Sequence, residues 1–236
     1  MPTDYDQIAE QFREAKEHPW RHRVETHSMM KLIGPLDGKK VVDLACGEGF
    51  FTRRLRKAGA AEVVGSDISH EMIALARAQE ESDPLGIEFL VEDAREPGSR
   101  QGFDVVVAAW LLVYARTRDE LGTFCRGIAT RLRSGGRLVT LTNNPDLYSF
   151  APRPDYRKYG MTVGLADHEY DGAPITWTIY LGGETIEIEN YHMPREVIVA
   201  ALAAAGFRDV RFHALELSPA PGGTDEGAYW DDLLRR

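Results

Sequence analysis

Cysteine is scarce: Cys46 and Cys125 are the whole complement of a 236-residue chain. Two thiols are too few for a disulfide framework or a four-cysteine zinc site, and they fit a reducing compartment. Positive charge is in deficit, with 28 Lys and Arg against 37 Asp and Glu and a formal net charge of −9. That balance opposes a broad phosphate-binding surface, because affinity for nucleic acid rests on clustered Lys and Arg that displace counterions. Long apolar runs are missing too. No segment approaches the roughly eighteen uninterrupted apolar residues of a membrane span, so no membrane partner is expected. The opening MPTDYDQIAEQF lacks the basic-then-apolar order of a secretory signal, which makes the cytoplasm the expected location.

A hydrophobic fraction of 43% is enough for a substantial core, and one α/β domain with an insertion accounts for the length. From Val41 to Asn143, β-rich runs alternate with helical ones: VVDLAC then FFTRRLRKAG, EVVGSD then HEMIALARAQE, IEFLVED, FDVVVAAW then DELGTFCRGIATRLR, and GRLVTLTN. Near-continuous apolar strands between amphipathic helices predict a doubly wound, mostly parallel sheet covered on both faces. Residues 1–36 read as two amphipathic helices, interrupted at Pro19, that form a lid. Residues 37–143 form the core. After Asn143 a Pro-, Gly- and Tyr-rich stretch leads into ITWTIYL and ETIEIENY, a β-hairpin turning at Gly182 and Gly183; residues 144–192 are thus an insertion capping the substrate side. Residues 193–236 supply the helix PREVIVAALAAAG, with Pro at its start and Gly at its end, and a further strand, VRFHALEL.

The chemistry concentrates in VVDLACGEGFFTRRLRKAGAAEVVGSD, residues 41–67. In an open parallel sheet, ligands bind beyond the carboxyl ends of the strands where the strand order reverses. Gly47 and Gly49 fall there, and missing side chains let a ligand approach the main chain. Asp67 closes the second strand, where a carboxylate can accept two ribose hydroxyls, and Asp93 closes the third. A nicotinamide coenzyme is the first alternative, since GxGxxG followed by an acid is the dinucleotide fingerprint. Here the third glycine is replaced by Thr52, and Asp43 and Glu48 make an unfavourable field for pyrophosphate. A cationic ligand is favoured by the same field. The plainer roles for these residues are turn stabilisation by Asp43, helix capping by Asp67 or Ser69, and simple solvation of Asp93.

DLACGEG, GSDIS after the second strand and EDA after the third resemble the class I S-adenosylmethionine-dependent methyltransferases. YDQIAEQF, the glycine pair of RSGGRLVT and NYHMPREVIVAALAAAGF extend the resemblance to bacterial small-molecule methyltransferases, the group that includes the toxoflavin-pathway N-methyltransferase and natural-product relatives. The resemblance implies a Rossmann-like methyltransferase sheet, S-adenosyl-L-methionine as cofactor and S-adenosyl-L-homocysteine as product. It places Asp43, Ala45, Gly47 and Gly49 around the methionine moiety, Asp67 on the ribose, Ile68 and Met72 against the adenine, and Asp93 with Ala94 at the adenine amino group. Ala109 and Trp110 would meet the amino acid part from the fourth strand, and Tyr5 and Arg21 belong to the segment that folds over the cofactor. Two departures stand out. Position 12 is Phe where relatives often carry Tyr, and the family's closing antiparallel strand, which follows the counterpart of AYWDDLLRR, has no match here.

For the acceptor, methyl transfer to nitrogen or oxygen needs positioning above all, with a base only for an acidic acceptor such as a phenol. Tyr148, Phe150, Tyr156, Tyr159, His168, Tyr170 and Trp177 make the insertion aromatic, which suits a planar aromatic or heterocyclic metabolite. Tyr191 and His192, just before the last helix, are the candidate catalytic residues. Core packing is the competing role for these aromatics. No metal is expected: Asn143, Asn144 and Asp146 offer oxygen ligands, but the fourth strand ends AAW without a carboxylate partner. Asn143, Asn144 and Pro145 also resemble the NPP signature of nucleic-acid amino methyltransferases, but follow the fifth strand instead of the fourth. A non-catalytic cofactor-binding scaffold of the same fold is the alternative to an enzyme, and the chain is expected to act as a monomer or homodimer.

Overall fold

A computed structural model describes residues 5, 6, 11, 15, 17–219 and 227–235. Phe12 and most of the first expected lid helix lie outside the described residues. Five strands, β1 (Lys40–Leu44), β2 (Glu62–Asp67), β3 (Glu88–Val91), β4 (Phe103–Ala109) and β5 (Leu132–Leu141), form a parallel sheet in the order β3-β2-β1-β4-β5. Asp43 is aligned with Gly65 on one side and Val107 on the other. The strand order reverses between β1 and β4, so the crevice for a ligand opens beyond Leu44 and Ala109.

Side chains alternate across a strand, and the sheet uses both faces. Val42, Leu44, Val106 and Ala108 pack on one side with Leu121, Cys125 and Ile128 of α4 (Arg118–Arg131) and Val197, Ile198 and Leu202 of α5 (Arg195–Ala204). Val41, Val63, Val105 and Val107 pack on the other with Met29 and Ile33 of α1 (His27–Ile33), Phe51 and Leu55 of α2 (Phe50–Lys57), and Ile73 and Ala76 of α3 (His70–Ser82). The expected doubly wound arrangement is therefore present.

The insertion folds as a separate antiparallel sheet, β6 (Met161–Leu165), β7 (Pro174–Leu181) and β8 (Glu184–Tyr191), in the order β6-β7-β8. The β7–β8 hairpin turns at Gly182 and Gly183, both with positive φ, as the sequence predicts. β6 was not legible; it pairs with β7 through Val163 opposite Trp177. A third apolar cluster joins this sheet to Trp20, Val24, Leu147 and Trp230, the last in α6 (Gly227–Trp230).

Two expectations are corrected. Pro19 does not break a helix but begins one: Pro19 and Trp20 are helical and lead through the π-helical stretch Arg21–Thr26 into α1, as proline's fixed φ allows in a first turn. VRFHALEL is not a strand. Its backbone is claimed elsewhere: Ser28 Oγ accepts from the Glu216 amide at 2.8 Å, and the Ser218 amide donates to the Arg23 carbonyl at 2.8 Å.

Candidate active site

The turn after β1 is built from left-handed residues: Ala45, Gly47 and Gly49 have φ of 55°, 56° and 91°. A Cβ on Gly49 would meet the Phe89 ring at 3.0 Å, so packing against β3 as well as backbone conformation calls for glycine there. The Gly47 amide donates to Asp67 Oδ2 at 2.8 Å and the Ser69 amide to Oδ1 at 2.9 Å. A carboxylate has about four acceptor sites, so these amides fix its orientation and leave it competent to accept hydroxyls. Ser69, not Asp67, is the N-cap of α3, accepting from the Met72 amide at 3.1 Å. Asp43 is buried and accepts from Thr52 Oγ1 at 2.6 Å. Glu48 is also buried in the turn.

Ile68, beside Asp67, is 60% exposed, the highest value for a large apolar side chain among the described residues. Its neighbour in the adenine assignment, Met72, is instead 1% exposed within the core. Asp93 is gripped by Arg95, whose Nε donates to both carboxylate oxygens at 2.9 Å; this hydrogen bonding holds its pKa below the usual carboxylate value. Ala94 is buried, and its carbonyl would lie 2.1 Å from a Cβ on Gly127, so the β3 loop packs directly on α4. Ala109 closes β4, and Trp110 follows in a left-handed conformation with its amide donating to the Leu141 carbonyl at 2.9 Å. The negative field, the bare turn and the exposed apolar side chain fit a cationic nucleoside such as S-adenosylmethionine.

The N-terminal segment reaches this notch. Asp6 accepts from Ser69 Oγ at 2.5 Å and from the Glu71 amide at 3.2 Å. The Tyr5 hydroxyl is hydrogen-bonded to that of Tyr114, with the rings edge to face at 6.0 Å. Burial first, and each other's proximity second, raise the Tyr5 phenol well above its usual value; burial pushes Tyr114 up to about 12. Arg21 and Glu25 are both buried and paired at 2.8 Å, with the guanidinium 4.2 Å above the Trp20 ring.

Next to the notch is a cavity of about 1860 Å³. One arm lies between the ends of β4 and β5 and the antiparallel sheet, lined by Trp110, Tyr114, Asn143, Trp177, Ile188 and Asn190; a second runs along β5 against residues 206–216. Tyr5 and Arg21 line it as well. Of the aromatic residues expected on the acceptor side, Phe150, Tyr156 and Trp177 are in its lining, Trp177 with its ring 5.3 Å from Tyr156 and its Nε1 donating to Asn143 Oδ1 at 3.0 Å. Tyr159 stacks on Trp230 at 5.4 Å and donates to the Tyr229 carbonyl. Tyr148 accepts from the Ala166 amide and sits edge-on to His192 at 5.0 Å. His168 and Tyr170 lean on each other in the loop before β7, with Tyr170 exposed.

His192 is 1% exposed and bonded through Nε2 to Glu169 Oε1 at 2.9 Å, and it is outside the lining of the cavity. Tyr191 is hydrogen-bonded to Glu189 with Arg116 over its ring at 5.4 Å; burial first and then the Glu189 carboxylate raise its pKa. Neither residue meets the cavity as a proton acceptor would. Tyr114, Asn190, Trp20 and Glu25, which belong to none of the motifs, line the cavity as well. Asn190 had a signal: Ile186, Ile188 and Asn190 share the buried face of β8, and an amide in an apolar stripe needs a partner. Among the described residues, no three His, Cys, Asp or Glu side chains gather as a metal site, and no helix is long and apolar enough to cross a membrane.

Residues 41–136 match the family model described as a methyltransferase domain. A demethylmenaquinone methyltransferase of Thermus thermophilus is 32% identical over 215 residues, 85% of this chain and 86% of the relative. An N-demethylindolmycin N-methyltransferase of Streptomyces griseus is 29% identical over 185 residues, 76% of this chain and 74% of the relative. A ubiquinone biosynthesis O-methyltransferase of Bradyrhizobium diazoefficiens is 31% identical over 122 residues, 52% of this chain; the match spans about half of that relative's length, 47%. The crystal structure of an S-adenosylmethionine-dependent methyltransferase from Clostridium acetobutylicum superposes with a TM-score of 0.57 at 18% identity, covering 86% of this chain and 80% of that one. The chain belongs to the class I S-adenosylmethionine-dependent methyltransferases. S-adenosyl-L-methionine is the cofactor of that family, and small molecules are the substrates that these relatives' names denote.

Proposed function

We propose that this chain transfers a methyl group from S-adenosylmethionine to a nitrogen or oxygen of a small aromatic or heterocyclic metabolite. The observation that carries the reading is the junction at Trp110, Tyr5 and Tyr114, which joins an acidic, glycine-lined notch to a cavity walled by aromatic and aliphatic side chains. A bound cofactor would supply an electrophilic methyl on a sulfonium: the acceptor's lone pair would bond to that carbon, the S–C electrons would return to sulfur as a neutral thioether, and any acceptor proton would be lost once the methylated product reaches water. Asp43 and Glu48 favour the positive charge, Asp67 takes the ribose, and Ile68 covers the adenine. Asp93, held by Arg95, marks the far end, with Ala94 beside it. Leu147, Phe150, Met161 and Ile179 keep water from the acceptor, and orientation of the two reactants supplies most of the rate.

Catalysis by positioning agrees with the environment of His192. Its ring ties Glu169 to Tyr148, while its amide and carbonyl hold Ala173 and Gly172 at 2.8 Å. Removing it, as His192→Ala, is expected to cost about 1–3 kcal/mol of stability with kcat at saturating acceptor retained. Loss of kcat with the fold and acceptor affinity retained would assign it the role of base. Residues 1–36 act as lid, 37–143 as cofactor core, 144–192 as acceptor cap and 193–236 as buttress. The same reading takes the protein as a cytoplasmic monomer or homodimer, and the net charge of −9 favours the part of it that excludes nucleic-acid partners.

Isothermal titration with S-adenosylhomocysteine tests the reading. Saturable binding is expected, followed by transfer to a planar acceptor. Absence of binding would refute it, and binding without transfer across a broad panel of aromatic amines, heterocycles and phenols would favour the scaffold alternative.

A further inference from the structure

Methyl transfer asks the acceptor for an available lone pair, and the ionisable groups around the cavity decide whether the protein can free one. Outside residues 206–216, three described carboxylates line it, and each holds a cation. Glu25 is paired with Arg21 at 2.8 Å, Asp146 with Arg195 at 3.0 Å, and Asp232 with Lys158 at 3.0 Å. Asp209, His213 and Glu216 belong to the second arm, along β5.

The groups at the junction are phenols. Tyr5 and Tyr114 line the cavity where it meets the notch, are only partly buried, and share a hydrogen bond between their hydroxyls. The charge of Asp67, on the notch side, bears on both. Burial keeps both protonated, with Tyr114 pushed up to about 12. A phenol cannot then remove a proton, but its oxygen carries two lone pairs beside its hydrogen and can accept an N–H.

An acceptor served by this junction must arrive neutral, with its lone pair in place and a hydrogen to give the phenol oxygen. An arylamine meets all three demands. An alkylamine, with a pKa like the roughly 10.4 of lysine, arrives protonated. A phenol, with a pKa of about 10, is ionised to only about one part in a thousand at neutral pH. A pyridine-type nitrogen has no hydrogen and would turn its lone pair to the hydroxyl.

We propose that the methyl acceptor is a primary or secondary arylamine, and that Tyr114, held by Tyr5, is the positioning residue whose hydroxyl oxygen accepts one of its N–H groups. The assignment deepens the methyltransferase reading and rests on it. With the N–H so engaged, the nitrogen lone pair is left to form the new N–C bond as the S–C electrons return to sulfur. The resulting ammonium gives its proton to water after transfer, so the step needs no base in the site.

The test uses the full chain with S-adenosylmethionine and three planar probes of matched substitution: aminonaphthalene, naphthol and aminomethylnaphthalene, with the methylated product read by mass. At neutral pH the arylamine is expected to react about a hundredfold or more faster than the other two. Tyr114→Phe is expected to lower kcat at saturating arylamine about tenfold, the weight of one hydrogen bond, with the Kd for S-adenosylhomocysteine held. Tyr5→Phe, which frees the Tyr114 hydroxyl to turn, is expected to lower it severalfold. A purely structural Tyr114 would leave kcat of the folded protein unchanged. Comparable rates on naphthol or on the alkylamine, transfer to none of the three, or full kcat in both variants overturns the inference and leaves the methyltransferase reading standing. Failure to bind S-adenosylhomocysteine at all is the separate result that removes that reading.

Discussion

Asp67 engages the Gly47 and Ser69 amides through different oxygens, so the residue proposed to hold the ribose also locks the turn after β1 to the end of β2. Asp67→Asn puts an NH₂ group where one of those amides now finds an acceptor. The expected result is a loss of about 1–3 kcal/mol in urea unfolding and at least about a tenfold weaker Kd for S-adenosylhomocysteine, since each lost hydrogen bond weighs about as much again in binding. Gly47 and Gly49 were legible because glycine most readily adopts left-handed backbone, whereas Ala45 takes the same conformation without that signal. The burial of His192 was not legible, because it depends on Glu169 and Tyr148, distant in sequence, folding over it. Asn190 was legible in the pattern of β8 and was passed over.

At the scale of elements, the alternation of apolar runs and amphipathic helices fixed β1 to β5, because both faces of a parallel sheet must be covered. It did not reveal β6, whose MTVGL carries a glycine and one exposed face, nor could it show that VRFHALEL forgoes the sheet for Ser28 and Arg23. Such choices are made by tertiary partners, not by period. The corner between α3 and β3 depends on one carboxylate. Glu80 Oε1 accepts from the Leu85, Gly86 and Ile87 amides at 2.6, 2.7 and 3.1 Å, and Oε2 pairs with Arg53 at 2.8 Å. Burial alone would raise its pKa; the three amides and Arg53 outweigh burial and lower it. A carboxyl lowered on folding adds stability above its unfolded value of about 4.3 and gives it up as pH falls through the folded value. Glu80→Gln should therefore be less stable at neutral pH and show a shallower acid limb in urea midpoints measured from neutral to acid pH.

At the scale of the whole molecule, the two sheets meet over the Tyr5–Tyr114 contact, and the alkaline limit should register there. Burial raises the Tyr114 pKa to about 12. Because the unfolded phenol ionises near about 10, stability is complete below that pH and declines as pH rises towards about 12. Tyr114→Phe is expected to flatten that decline in denaturant midpoints, and any alkaline loss of rate below about pH 10 belongs to another group. Among the described residues, β5 ends the parallel sheet with its outer margin unladdered, since Glu216 and Ser218 are bonded to Ser28 and Arg23. Arg133 on that margin is drawn to Asp104 at 2.7 Å, and Arg137 clasps the Leu32 and Ile33 carbonyls at the end of α1. A bare rim invites copies of the same chain to stitch together edge to edge. Here both arginines on that margin turn inward, one to the neighbouring strand and one to the helix that covers the sheet, so the rim is knitted to its own fold instead of to a second molecule.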